Sequence, residues 1–280
     1  MRMDFDFSAV VRTALAEDLG AEGDVSAEAV FGPDTTGRFV LLAKDSGVLC
    51  GLDAFAAVFA ALDSRTHLDR FFEDGDALEP GAVVARAEGP VRALLSGERT
   101  ALNLLSHLSG VATKARRFSD AAGGRLAVLD TRKTIPGLRA LQKYAVRCGG
   151  CSNHRMGLFD MIMLKDNHVD AAGGVAEAVA KARSRWGGKF EIEVETRTIA
   201  EVRAAVGAGA DRIMFDNMDD ATMREAVAVV AGRAYTEASG NLTMERIPVL
   251  IDLGVDSASF GELTHGVKAF DFSFKAEARA

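Results

Sequence analysis

The feature that most constrains this chain is a series of six short apolar runs in its second half. They are Leu126–Leu129, Met161–Leu164, Ile192–Val194, Ile213–Phe215, Tyr235–Ala238 and Ala258–Phe260, beginning roughly 22 to 35 residues apart. Between them lie helical patterns such as GVAEAVAKARSRW, TIAEVRAAVGAGA and DATMREAVAVVAGRA. Strand and helix alternating at this spacing is the grammar of βα units and a parallel sheet. GAGAD (207–211) supplies a glycine at a helix end turning into the next strand. Each run ends in polar or charged residues: LDTRK, LKDNH, VET, FDN, TEASG and FGELTH. In α/β barrels the active site forms at the carboxyl ends of the strands, so these endings are where chemistry is expected.

The first half reads differently. A helix is expected from Ser8, as N-cap, to Gly20, a strand over Arg38–Lys44, and a helix over Leu52–Leu62. DGDALEPGAVVARAEG (74–89) reads as a tight β-hairpin. A long helix follows from about Ser96 to Ala121, with Ala101, Leu104, Leu105, Leu108 and Ala112 as its buried stripe. Gly110 interrupts that stripe and marks an expected change of domain.

Charge sharpens the functional reading. The 280 residues carry 33 Lys and Arg against 40 Asp and Glu, a net charge of −7. That excludes a sequence-independent nucleic-acid binder, which needs a basic footprint. Residues 132–168 nonetheless hold seven cations (Arg132, Lys133, Arg139, Lys143, Arg147, Arg155, Lys165) and two acids. A cationic island in an acidic chain suggests an anionic ligand. Arg139, Lys143 and Arg147 recur every four residues and fit a solvated helix face. Arg132, Lys133, His154, Arg155 and Lys165 stand at strand or loop ends and fit ligand contact. Lys165 alone would also suit a Schiff base in an aldolase-like barrel, but its cationic neighbours favour an anion clamp.

Acids close the later strands. Glu193 and Glu195 share one face of a strand, and Asp216 ends the next. Carboxylates beside an anion site suggest Mg²⁺ held together with a phosphorylated substrate. Glu193 suits equally a structural partner for an Arg or Lys. Ser239 and Gly240 form a turn whose backbone N–H groups can cradle phosphate.

Cys148, Cys151 and His154 are spaced like metal ligands, but no second ligand pair accompanies them and Cys50 is expected far away, so they read as small residues in a tight loop. His67 and His107 read as non-functional; His168 and His265 stand at strand ends. Three cysteines and an acidic amino terminus without an apolar leader predict a soluble, cytoplasmic protein with no membrane span.

Together the motifs ERTALN, LSGVAT, LDTRKTIPGLRALQKYAVRCGG, NHRMGL, MLKDNHV, EVET, FDNM, EASG and LTH resemble, in order and spacing, the quinolinate phosphoribosyltransferases. The resemblance implies conversion of quinolinate and 5-phosphoribosyl-1-diphosphate to nicotinate mononucleotide, diphosphate and CO₂, with Mg²⁺. It implies an amino-terminal α/β sandwich over 1–108, rejoined by a tail over 269–280, and an incomplete seven-stranded α/β barrel over 109–268. It implies a homodimer in which Arg99 reaches the neighbouring subunit's quinolinate. Arg132, His154 and Arg155 would bind the two carboxylates, with Lys133 lining the same pocket. Lys165 would sit between the substrates. Glu195 and Asp216 would hold ribose hydroxyls and Mg²⁺, and Ser239, Gly240, Gly261 and His265 the 5-phosphate. Lys133, Lys165, Glu195 and Asp216 form the expected catalytic set. Asn241 replaces a glycine common in relatives; asparagine tolerates left-handed backbone.

Overall fold

The computed structural model describes residues 6–277. Residues 1–5 and 278–280, which belong to the amino-terminal and tail expectations above, lie outside the described residues. The chain divides into two compact units. One comprises Met1–Arg116, Thr134–Gly150 and Leu263–Ala280; the other comprises Arg117–Lys133 and Cys151–Glu262. The segment Thr134–Gly150 therefore packs with the first unit, although it lies inside the range 109–268 expected for the barrel.

The first unit contains strands β1 (Thr36–Ala43), β2 (Gly47–Val48), β3 (His67–Arg70), β4 (Ala77–Leu78) and β5 (Val83–Pro90). The final strand of the chain, β12 (Phe272–Ala276), completes an antiparallel sheet in the order β12-β1-β5-β3. Phe39, Leu41 and Ala43 alternate inward along β1 and are buried. They meet the helix Leu52–Leu62, which has the predicted bounds. The Phe274 ring of β12 lies 5.1 to 5.6 Å from those of Phe39, Phe55 and Phe59, so β12 contributes to the core of the first unit. Gly51 offers no capping side chain. Asp74 substitutes, its Oδ1 accepting from the N–H groups of Gly51 (2.9 Å) and Leu52 (3.2 Å).

Three expectations are corrected here. The first helix spans Ser8–Leu19, but Ser8 is not its cap; its N–H donates to Asp6 Oδ1 at 2.9 Å. Residues 74–89 are not a hairpin. β4 pairs with β2, while β5 pairs with β1 and β3, because the turn at Pro80–Gly81 passes the chain between two sheets. Arg139, Lys143 and Arg147 do not share a solvated face. On the helix Arg139–Cys148 Lys143 is fully buried, Arg139 donates to Thr134 Oγ1 at 2.9 Å, and only Arg147 is exposed.

The long helix runs from Val91 to Ala122 without a break at Gly110. A Cβ on Gly110 would lie 2.3 Å from the Lys268 carbonyl oxygen, so the glycine admits a close crossing of backbone. Gly110→Ala is expected to destabilise the protein by about 1–3 kcal/mol through overpacking, read as a lowered denaturant midpoint at unchanged slope.

The second unit is a six-stranded parallel sheet ordered β6-β11-β10-β9-β8-β7. Its strands are β6 (Ala127–Leu129), β7 (Ile162–Leu164), β8 (Ile192–Thr196), β9 (Arg212–Asp216), β10 (Tyr235–Ser239) and β11 (Ser257–Ser259), one for each predicted run. Beyond β6, Leu129 makes a parallel bridge to Ser152. Ile192, Val194, Ile213, Phe215 and Ala238 are fully buried, as expected for strands covered on both faces. The helices after β8 and β9 start at side-chain caps. Thr198 and Glu201 form a capping box, and Asp219 accepts from the Thr222 N–H at 2.8 Å. The chain is thus a mixed α/β protein containing a parallel sheet.

Candidate active site

The carboxyl ends of the parallel strands carry most of the predicted residues. After β6, Asp130 is fully buried and ties the strand end to the next segment. Its Oδ1 accepts from the His154 N–H at 2.9 Å and its Oδ2 from Asn153 Nδ2 at 2.6 Å. Arg132 and Lys133 follow and are exposed; the Lys133 N–H donates to Thr131 Oγ1 at 3.0 Å. Arg155 is half-buried, with Nη1 donating to the Met161 carbonyl at 3.2 Å. Burial, and then the neighbouring Arg132 charge, push the Arg155 guanidinium below its ordinary pKa. Two cations held close against their own repulsion are a receptor for an anion.

Lys165 follows β7 and forms an ion pair with Glu195 of β8. Its backbone N–H donates to His168 Nδ1 at 3.0 Å, which gives His168 a capping role at the helix Asp166–Ala172. Asp216 ends β9. Its Oδ2 accepts from Asn217 Nδ2 at 3.0 Å. Ser239 ends β10, its hydroxyl 3.3 Å from that of Ser259 on β11. Gly240 has φ +97° and Asn241 φ +48°, so the turn after β10 is left-handed at both positions. Gly261 follows β11. Arg99, exposed on the long helix, and His265, exposed on the helix Glu262–His265, belong to the first unit.

Behind these ends lies a buried charge cluster that sequence reasoning did not assemble. His154 Nε2 is 3.1 Å from Glu193 Oε2 and 3.4 Å from Glu237 Oε2. Arg212 lies 3.6 Å from Glu193 and 3.3 Å from Glu237. Both glutamates are fully buried. Glu193 therefore has the structural partner that was one of its two readings. Burial disfavours an imidazolium, but the carboxylates of Glu193 and Glu237 outweigh it and raise His154 to about 9; the Arg155 N–H lies 2.7 Å from Nδ1. The EASG motif could have flagged Glu237, since an acid inside a strand buried on both faces requires a cation.

A cavity of about 500 Å³ opens beside this cluster, bounded by Ala127, Glu191, Arg212 and Tyr235 where the strands begin, and by His154 and Arg155. Lys165, Glu195 and Asp216 do not line it.

The cysteine expectation is corrected. Cys50 is not remote: its Sγ, Cys148 Sγ and a carboxylate oxygen of Asp74 all lie within 4.8 Å of one another, and all three residues are buried. Asp74 already accepts two backbone N–H groups and, on Oδ2, the Tyr144 hydroxyl at 3.0 Å. The group reads as a packed polar knot that caps a helix. Burial raises the Cys50 thiol well above its ordinary value, which makes it unreactive.

Glu195 and Asp216 present hard carboxylate oxygens from adjacent strands, without a third acidic, His or Cys ligand among the described residues. That donor set fits Mg²⁺, which keeps waters and takes its remaining oxygens from a phosphorylated substrate.

Comparison with known proteins identifies the family. Residues 24–109 match the quinolinate phosphoribosyl transferase N-terminal domain, and residues 111–275 match its C-terminal domain. The chain is 44% identical over 258 residues to the probable nicotinate-nucleotide pyrophosphorylase [carboxylating] of Bacillus subtilis, covering 92% of this chain and 89% of that one. It is 40% identical to the mitochondrial quinolinate phosphoribosyltransferase [decarboxylating] 2a of Nicotiana tabacum, covering 98% and 83%. The crystal structure of NadC from Streptococcus pyogenes superposes with a TM-score of 0.94 at 42% identity, over 98% of each chain. The nicotinate-nucleotide pyrophosphorylase of Francisella tularensis superposes at 0.92 and 37%, covering 97% and 96%. With both domains matched along nearly the whole length, the chain belongs to the quinolinate phosphoribosyltransferase family.

Proposed function

We propose that the protein converts quinolinate and 5-phosphoribosyl-1-diphosphate to nicotinate mononucleotide, diphosphate and CO₂, a step of NAD biosynthesis. The observation that carries this is the order of charge along successive strand ends, in a chain of this family. Cations come first at Arg132, Lys133 and Arg155; carboxylates follow at Glu195 and Asp216.

Arg132, Lys133, His154 and Arg155 hold the two quinolinate carboxylates and aim the ring nitrogen at the anomeric carbon. That nitrogen forms a bond to the carbon as the bond to diphosphate breaks. The transition state has oxocarbenium character, so positioning and electrostatics do most of the work. Lys165 stands between the two substrates, exchanging its Glu195 partner for the departing diphosphate. Glu195 and Asp216 orient the ribose hydroxyls and would hold Mg²⁺, which supplies charge neutralisation for the diphosphate. Ser239, Gly240, Gly261 and His265 receive the 5-phosphate. Once the nitrogen is quaternary, the 2-carboxylate leaves as CO₂, and the carbanion at C2 takes a proton.

The finer architecture follows the same reading. The Leu129–Ser152 bridge supports a seventh strand and an incomplete seven-stranded barrel, and the β12-β1-β5-β3 sheet with its helices supports a sandwich. Arg99, exposed on its helix, reaches the quinolinate of a second copy in a homodimer. Among the described residues no helix is long and apolar enough to cross a membrane.

The test mixes protein, quinolinate, 5-phosphoribosyl-1-diphosphate and Mg²⁺. Nicotinate mononucleotide and CO₂ in equal amounts are expected. Nicotinate in place of quinolinate is expected to give turnover lower by two orders of magnitude or more, because the cations meant for the second carboxylate stay unpaired. Equal use of both acids would overturn the assignment.

A further inference from the structure

Among the described residues only three that are not glycine have positive φ: Asn217 (+53°), Ala231 (+48°) and Asn241 (+48°). Two of them touch. Asn241 Nδ2 donates to Asn217 Oδ1 at 3.1 Å, joining the turn after β9 to the turn after β10. Asparagine takes left-handed backbone more readily than other non-glycine residues because its short amide can hydrogen-bond locally, and here the two amides do so with each other.

Asn217 makes further contacts. Its Nδ2 donates to Asp216 Oδ2 at 3.0 Å. A carboxylate can only accept, which fixes the amide orientation and leaves Oδ1 facing Asn241. Its backbone N–H donates to the Ser239 carbonyl at 3.0 Å. Its amide group also occupies the space over Gly240, where an added Cβ would fall 2.4 Å from Asn217 Cγ. One side chain thus braces an acidic strand end on one side and, on the other, a turn that is left-handed at Gly240 and Asn241.

We propose that Asn217 is a positioning residue for the phosphoribosyl substrate. It holds the Ser239–Gly240–Asn241 turn in the shape that receives the 5-phosphate and, through the same amide, fixes the Asp216 carboxylate against the ribose. The inference rests on the function proposed above and adds a residue that touches neither quinolinate nor phosphate.

The test separates side chain from backbone. Asn217→Gly keeps a residue at ease with positive φ and removes the brace; Asn241→Gly does the same from the other side. Ribose 5-phosphate binding is measured by calorimetry without Mg²⁺ or quinolinate, alongside KM for each substrate. N217G is expected to bind ribose 5-phosphate about tenfold more weakly and to raise KM for 5-phosphoribosyl-1-diphosphate similarly. Its KM for quinolinate should stay within about twofold of wild type. N241G should show a smaller loss, and the double variant should be no worse than N217G alone, because both remove one connection. Affinity within twofold of wild type in folded N217G overturns the proposal, as does equal worsening of both KM values. Should N217G fail to fold, unchanged affinity in N241G overturns it instead. A wild-type protein that binds no ribose 5-phosphate and makes no nicotinate mononucleotide would instead bring down the functional reading itself.

Discussion

Replacing Arg132 with Ala is expected to lower kcat/KM for quinolinate by on the order of 10²–10³-fold, or about 3–4 kcal/mol of lost transition-state stabilisation. The loss arises because one substrate carboxylate would enter the site without its partner. Stability should not fall with activity. Arg132 is exposed in the free protein, and its charge disfavours that of Arg155. Removing it relieves that repulsion, so the melting temperature should hold or rise slightly. Arg132→Lys should recover only part of the activity, since an ammonium cannot offer a planar fork. Wild-type-like turnover in R132A would sink the assignment of Arg132.

The second large effect concerns the cluster behind the site. Glu237→Ala leaves Arg212 and His154 to share Glu193 in a fully buried setting. Breaking such a group by removing one member costs about 3–5 kcal/mol, to be read from urea unfolding. A pH signature accompanies it. His154 is raised from its ordinary 6.5 to about 9, so the folded state binds more protons than the unfolded state between those values. Its contribution is therefore complete below about 6.5, declines as pH rises, and is gone above about 9. The stability gap between wild type and E237A should narrow over the same window. A gap that is constant from pH 6 to 9 would show that His154 is not held charged.

The parallel sheet was legible because its cause is local. Runs such as Ile213–Phe215 are apolar on both faces, Ile192 and Val194 mark the apolar face of their strand, and the helices that follow open at residues able to cap them, Thr198 and Asp219. The residues after those strands were legible as a site for the same reason: in a parallel sheet their position follows from chain direction. What stayed hidden depends on contacts distant in sequence. Cys50 meets Cys148 only through packing within the first unit. Lys143 has the spacing of a solvated lysine, and its burial shows only when the helix Arg139–Cys148 is placed. Residues 74–89 carry the turn signals of a hairpin, yet their two arms find better partners in β2 and in β1 and β3. Asp130, Arg212 and Asn217 each act through another side chain, and a motif read along the chain lists endings without showing which of them lean on one another.

The first unit is built from three separate stretches, and its sheet is closed by β12 near the very end of the chain. During synthesis, a nascent chain lacking its last dozen residues exposes an unpaired β1 edge and lacks Phe270, Phe272 and Phe274 from its core. The interrupted second unit, whose strands are all made before that point, can assemble earlier. The amino-terminal part, first to emerge, is thus the last able to finish. Stop codons or proteolytic cuts before residue 270 should yield aggregation-prone fragments rather than a shortened enzyme.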